Sequence, residues 1–105
     1  MLKAGDKAPE FSLPDETGLE ISLSALLSKG PLILYFYPSD FTPGCTKEAC
    51  MVRDFHSEFE EAGITTVGIS PNNGQSHQRF KNKYSLEHAL LADTKKHVIR
   101  QFGVD

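Results

Sequence analysis

The chain has 105 residues, with 11 Lys and Arg against 14 Asp and Glu, 39% apolar and 24% charged side chains, two cysteines and no tryptophan. These values describe one soluble globular domain spanning residues 1–105 and exclude a collagen or a disordered tail. Folding at this size hides somewhat over ~60% of the unfolded chain's surface, so a core forms without a metal or a disulfide staple.

The net charge of −3 gives no overall pull toward nucleic acid or acidic membranes. The charge is uneven: residues 1–70 carry 5 Lys/Arg against 11 Asp/Glu, and residues 71–105 carry 6 against 3, as one solvated basic helix would produce. The longest strongly apolar run, LILYFY at residues 32–37, is far too short to cross a bilayer. The start has no basic region followed by an apolar stretch, so a cytoplasmic location is the expectation.

Residues 5–17 (GDKAPEFSLPDET) are turn-rich and hold at most a short strand at 10–13. Residues 18–23 alternate apolar and polar side chains as a half-buried strand does, and 24–29 form one helical turn closed by Gly30. The LILYFY segment is apolar on both faces, the signature of a central strand in an α/β sheet. Residues 39–44 (SDFTPG) break it.

A long helix follows, with Thr42 as N-cap, Pro43 at the first helical position and Gly63 at the end. Ala49, Val52, Phe55, Phe59 and Ala62 recur at three- and four-residue spacing and give it one apolar face. Residues 64–70 (ITTVGIS) read as a second interior strand, 75–84 as a basic amphipathic helix, 89–91 as a short strand and 94–102 as a last helix before Gly103. This alternation predicts an α/β sheet covered by helices through right-handed crossovers.

Sites on such sheets lie where a strand ends and a helix begins, and here that junction reads YPSDFTPGC, residues 37–45. With Thr42 as N-cap, Cys45 is the third helical residue, beside unpaired amides and the positive end of the helix dipole, which favour a thiolate. Gly44 adds close backbone approach. A small cysteine that merely packs the first turn accounts for the same position.

Cys50 lies five residues later in a chain with no other cysteine. In an intact helix this offset places the Cα atoms roughly 8.6 Å apart. A disulfide needs about 4.4 to 6.8 Å, so the two sulfurs join only if the first helical turns unwind. A secreted structural disulfide is therefore disfavoured. Zinc is disfavoured too, because His56, His77, His88 and His97 form no paired cluster that would complete a C-x4-C site. No cofactor or metal is expected.

The string Pro38-x-x-x-Thr42-x-x-Cys45 resembles the active-site signature of the peroxiredoxins, and TPGCTKEAC with Cys50 is similar to the bacterioferritin comigratory protein or Q-type subfamily. The opening GDKAPEFSLPDETG, the VGISPN turn, SLEHALLAD and the terminal FGV extend the resemblance over nearly the whole chain. It implies a thioredoxin-like fold, with a central mixed sheet covered by helices, and thiol-dependent reduction of hydrogen peroxide and organic hydroperoxides. By this resemblance Cys45 is the peroxidatic cysteine and Cys50 the resolving one. Thr42 sets its hydroxyl against thiolate and substrate, Gly44 borders the substrate site, Pro38 shields the pocket, and thioredoxin or a similar dithiol is the reductant.

The resemblance also implies strands after the FGVD segment, one of which carries an active-site arginine. Arg53, Arg79 and Arg100 do not match that position, and Arg53 reads better as a surface ion pair. The expectation is thus a C-terminally incomplete domain whose 32–37 edge promotes self-association and whose peroxidase activity is weakened. Two other functions fit the sequence less well: a thioredoxin-like disulfide oxidoreductase, which generally uses C-x-x-C, and a non-catalytic domain. Phe36, Phe55, Phe59, Phe80 and Phe102 read as packing, Lys81, Lys83, Lys95 and Lys96 as a solvated face, and Asn72-Asn73-Gly74 as a turn.

Overall fold

Two sheets organise the chain, and the structure, a computed structural model, describes residues 3–104 of it. Strands β1 (Ser12–Pro14) and β2 (Glu20–Ser22) pair antiparallel as a hairpin. Strands β3 (Leu32–Phe36), β4 (Thr65–Ser70) and β5 (Ala89–Ala92) form a parallel sheet in the order β3-β4-β5. Between them run helices α1 (Leu23–Leu27), α2 (Pro43–Asp54), α3 (His56–Glu61), α4 (Gly74–Tyr84) and α5 (His97–Gln101). Antiparallel pairing is thus confined to the hairpin and parallel pairing to the three-stranded sheet.

The alternation of side chains along the strands sorts two cores onto the two faces of the parallel sheet. Val67, Ile69 and Leu91 join Phe11, Leu13, Leu23, Leu26, Val98 and Ile99 on the face covered by the hairpin, α1 and α5. Tyr37, Leu90 and the partly buried Tyr35 join Cys45, Ala49, Phe80 and Leu86 on the face covered by α2 and α4. β4 is buried almost throughout, as expected of an interior strand, whereas β3, expected to be the central strand, lies at the edge of the described sheet with its side chains only partly buried.

Gly68 of β4 stands between Tyr35 and Leu90 in register. A Cβ there would sit 2.8 Å from Tyr35 Cζ, 2.9 Å from its Oη and 3.1 Å from Leu90 Cδ2. The ring cannot swing away freely, because it is stacked on Tyr37 at 5.7 Å and hydrogen-bonded to His88. Gly68→Ala is expected to lower stability by ~1–3 kcal/mol through overpacking, read as a fall in the urea midpoint. An unchanged midpoint would show that the Tyr35 ring is not fixed.

Three further expectations are corrected. The helix predicted from Pro43 to Gly63 is two helices, because the chain turns at Phe55 (φ −97°, ψ 3°), whose N–H is shared between the carbonyls of Met51 and Val52. That turn carries Phe55 off the core face, leaving it 49% exposed beside Phe59. The last helix starts at His97 rather than Thr94, because Lys96 adopts φ +62° and Asp93 caps the amide of Ile99 at 2.8 Å. Lys81 is not part of a solvated face: it pairs with Glu16 at 3.1 Å and ties α4 to the hairpin turn.

Candidate active site

The junction of β3 and α2 holds every sequence-predicted site residue except Cys50. Tyr37 follows the strand and is buried, and the turn 38–42 leads into α2 with Phe41 in the left-handed region at φ +68°. Thr42 occupies the N-cap position with extended dihedrals, and Thr46 N–H donates to its carbonyl at 2.8 Å, the first bond of the helix. Pro43 is the first helical residue and has no N–H. The amides of Gly44 and Cys45 consequently have no acceptor within the helix and face the space beyond its N-terminus.

Cys45 is 8% exposed and packs against Tyr37, Ala49, Phe80, Leu86 and Leu90. Cys50 is half-buried, five residues on in the same unbroken helix, and both cysteines are free thiols. The Thr42 hydroxyl makes no capping bond to the helix. It donates instead to the carbonyl of Ser39 at 3.3 Å, long for an O–H donor, so little holds it from turning toward a substrate oxygen. Pro38 is exposed and lines an open cleft of about 450 Å³ with Phe36, Pro71, Ile99 and Val104. Cys45 does not line that cleft, although Tyr37, which shares its core cluster, does. Arg53 bonds Asp54 at 3.0 Å and the Tyr84 carbonyl at 2.7 Å, eight residues and ~12 Å of helix rise from Cys45.

The sequence reading missed the polar network under this turn. Asp40 lies buried, and its Oδ1 accepts the Tyr37 hydroxyl at 2.7 Å while its Oδ2 accepts from Ser76 Oγ at 2.7 Å and faces His77 Nδ1 at 2.8 Å. Its amide donates to Asn72 Oδ1 at 2.8 Å, so Asn72 anchors the turn as well as bending the chain. Asn73 caps α4 by accepting from Ser76 N–H at 2.9 Å. Burial alone would raise the Asp40 carboxyl, but the hydrogen bonds from His77, Tyr37 and Ser76 and the charge of His77 hold it below the usual carboxylate range. The usable signal was spacing: His77, Phe80 and Tyr84 share one α4 face, which puts a histidine against the sheet where a polar partner is needed.

A second buried histidine lies behind Tyr35. Burial, with smaller contributions from Glu48, Asp40 and Cys45, pushes the Tyr35 phenol well up, so its O–H donates to His88 Nε2 at 2.6 Å. Burial, then Lys81 and His56, pulls His88 down to about 4. The neutral ring therefore carries its proton on Nδ1, which has no hydrogen-bond partner among the described residues. Because the folded value lies below the unfolded one of ~6.5, this contribution to stability is complete above pH ~6.5 and is lost toward pH 4, by up to ~1.4 kcal/mol per pH unit. Urea midpoints at pH 7 and pH 5 should show that loss, and His88→Leu should remove it. Asp40 and Asp15, both held low, weaken only in more acidic solution.

Among the described residues no helix is long and apolar enough to cross a membrane, and no group of three His, Cys, Asp or Glu side chains is placed to hold a metal ion. A parallel three-stranded sheet covered by helices, with a cysteine in the first turn of the helix that leaves it, is a thioredoxin-like arrangement. The family model described as the AhpC/TSA family matches residues 4–105. A Coxiella burnetii protein named as the peroxiredoxin bcp is 48% identical over 103 residues, covering 98% of this chain and 68% of the relative. The chloroplastic peroxiredoxin Q of Suaeda salsa is 45% identical over 100 residues, covering 95% of this chain and 46% of that one. The crystal structure of peroxidoxin BcpB from Mycobacterium tuberculosis superposes with a TM-score of 0.95 at 45% identity, over 98% of this chain and 67% of its own. The chain belongs to the AhpC/TSA family, as a peroxiredoxin of the Q and bacterioferritin comigratory type. It spans about two thirds of the bacterial relative and under half of the chloroplast one.

Proposed function

We propose that this chain reduces hydrogen peroxide and organic hydroperoxides through Cys45. The observation that carries the reading is the position of that thiol, third in α2 and packed on one side, in the helical turn whose amides have no acceptor within the helix. The thiolate attacks the outer peroxide oxygen and the O–O bond breaks. Cys45 becomes a sulfenic acid, and the departing alkoxide takes a proton to leave as alcohol or water. Helix amides and the Thr42 hydroxyl hold the two oxygens in line. The Cys50 thiol then displaces water from the sulfenic acid to give a disulfide, after α2 has unwound. A dithiol, thioredoxin by the reading above, restores both thiols and is itself oxidised.

Organic hydroperoxides are supported by the bacterioferritin comigratory protein of Xanthomonas campestris, whose structures concern its alkyl peroxide reduction activity. It superposes with a TM-score of 0.82 at 32% identity, over 88% of this chain and 58% of its own. Two free thiols fit a reducing compartment such as the cytosol. The test mixes reduced chain with hydrogen peroxide and follows peroxide loss, then repeats it with thioredoxin and its reductant. Consumption in both supports the reading. Disulfide reduction without peroxide consumption would favour a disulfide oxidoreductase.

We also propose self-association through β3, whose outer edge is unpaired among the described residues. Light scattering on the eluting protein should give a dimer or larger. A monomer across concentrations would reject this.

A further inference from the structure

Of the side chains in the turn 38–42, Asp40 alone is buried, and everything it touches belongs to other elements. His77 is 0% exposed and reaches both ways: Nδ1 lies 2.8 Å from Asp40 Oδ2, and Nε2 lies 3.0 Å from the Leu91 carbonyl of β5. A carbonyl only accepts, so Nε2 carries a proton. The carboxylate already accepts from Tyr37 and Ser76, and Nδ1 donates to it as well. The result is an ion pair closed off from water and fixed at its far end to the central sheet. Five residues beyond Asp40 along the chain is Cys45.

We propose that Asp40 and His77 form the positioning pair for Cys45. They hold the turn 38–42, and with it the first turn of α2, in the compact form that reacts with peroxide, and their loss favours the unwound form in which Cys45 reaches Cys50. This rests on the peroxidase reading for its consequence, but its structural half does not. The left-handed Phe41 and the helix N-terminus follow directly after Asp40, so releasing that carboxylate frees the segment that must move. Removing one partner leaves the other charge buried and unpaired, a cost that local opening relieves. The pair therefore sets the balance between the two steps of one cycle: peroxide attack needs it closed, and disulfide formation needs it open.

The test compares His77→Asn with His77→Gln. The shorter amide places its nitrogen near the Nδ1 position and keeps a donor for Asp40; the longer one places it near Nε2 and keeps only the bond to Leu91. Iodoacetamide labelling of Cys45, which is buried in the closed form, reads opening without any peroxide. His77→Gln and Asp40→Asn should label about tenfold faster or more than the wild type, a factor equal to ~1.4 kcal/mol in local opening. Their first peroxide step should slow while the Cys45 to Cys50 disulfide forms faster, and His77→Asn should stay close to the wild type in all three. A residue with only a core-packing role would not move the two steps in opposite directions. Equal behaviour of the Asn and Gln variants, or unchanged labelling in His77→Gln, overturns the proposal. Should the buried variants unfold, Ser76→Ala removes one donor from a half-buried position and should shift labelling the same way; no shift there also overturns it. Wild-type chain that consumes no peroxide defeats the functional reading, and the labelling contrast still decides this one.

Discussion

Replacing Cys45 by serine is expected to reduce peroxide consumption at least about a thousandfold, because an alcohol at that position cannot supply the anionic nucleophile the O–O bond requires. Replacing Cys50 by serine has a different consequence. The first turnover proceeds at the wild-type rate, since Cys50 lies on another side of α2 and does not join the cluster around Cys45. The intrachain disulfide no longer forms, and the sulfenic acid persists until an outside thiol meets it. Stopped-flow measurement of peroxide loss separates the two, with non-reducing mass analysis reporting the disulfide. Equal damage from both substitutions would mean that Cys50 takes part in the first step.

Phe80→Ala is expected to be the most destabilising single change on the Cys45 face. Phe80 is fully buried and meets Phe41 edge-on at 5.1 Å, Tyr84 at 5.5 Å and Tyr37 at 6.3 Å. Truncating such a ring costs about 3–5 kcal/mol, against a total near 5–15 for a domain of this kind. At ~4 °C or more per kcal/mol the melting midpoint should fall by over ~12 °C. The loss also removes the ring that Phe41 rests on, so peroxide attack should slow at temperatures where the variant is still folded. Phe80→Leu keeps most of the volume and should retain most of both. A loss under ~1 kcal/mol for the alanine variant would show that the two faces of the sheet are not equally needed.

The strands and the nucleophile helix were legible because local rules and tertiary packing agree there. ITTVGIS reads as an interior strand and is buried almost throughout, and Thr42-Pro43 starts α2 where capping chemistry puts it. The break at Phe55 was not legible, since the spacing of Ala49, Val52, Phe55 and Phe59 is as regular as an unbroken helix would show. Only the packing of α3 against β4 reveals where the axis turns. The site divides in the same way. Cys45 and Cys50 declare themselves by residue type and position. Asp40, Asn72, Ser76 and His77 lie up to 37 residues apart and become one network only when the chain folds. A histidine on an apolar helix face is the trace such a network leaves in a sequence, and Asp40 in the adjoining turn is its counter-charge.

The central claim is that Cys45, at the start of α2, is the atom peroxide oxidises. It is tested most directly by giving reduced Cys50→Ser chain one equivalent of hydrogen peroxide, trapping sulfenic acid with a dimedone reagent, and locating the adduct by peptide mass spectrometry. The account predicts one adduct per chain, on Cys45. Peroxide left unconsumed, or a chain that loses peroxide with Cys45 unmodified, would contradict it.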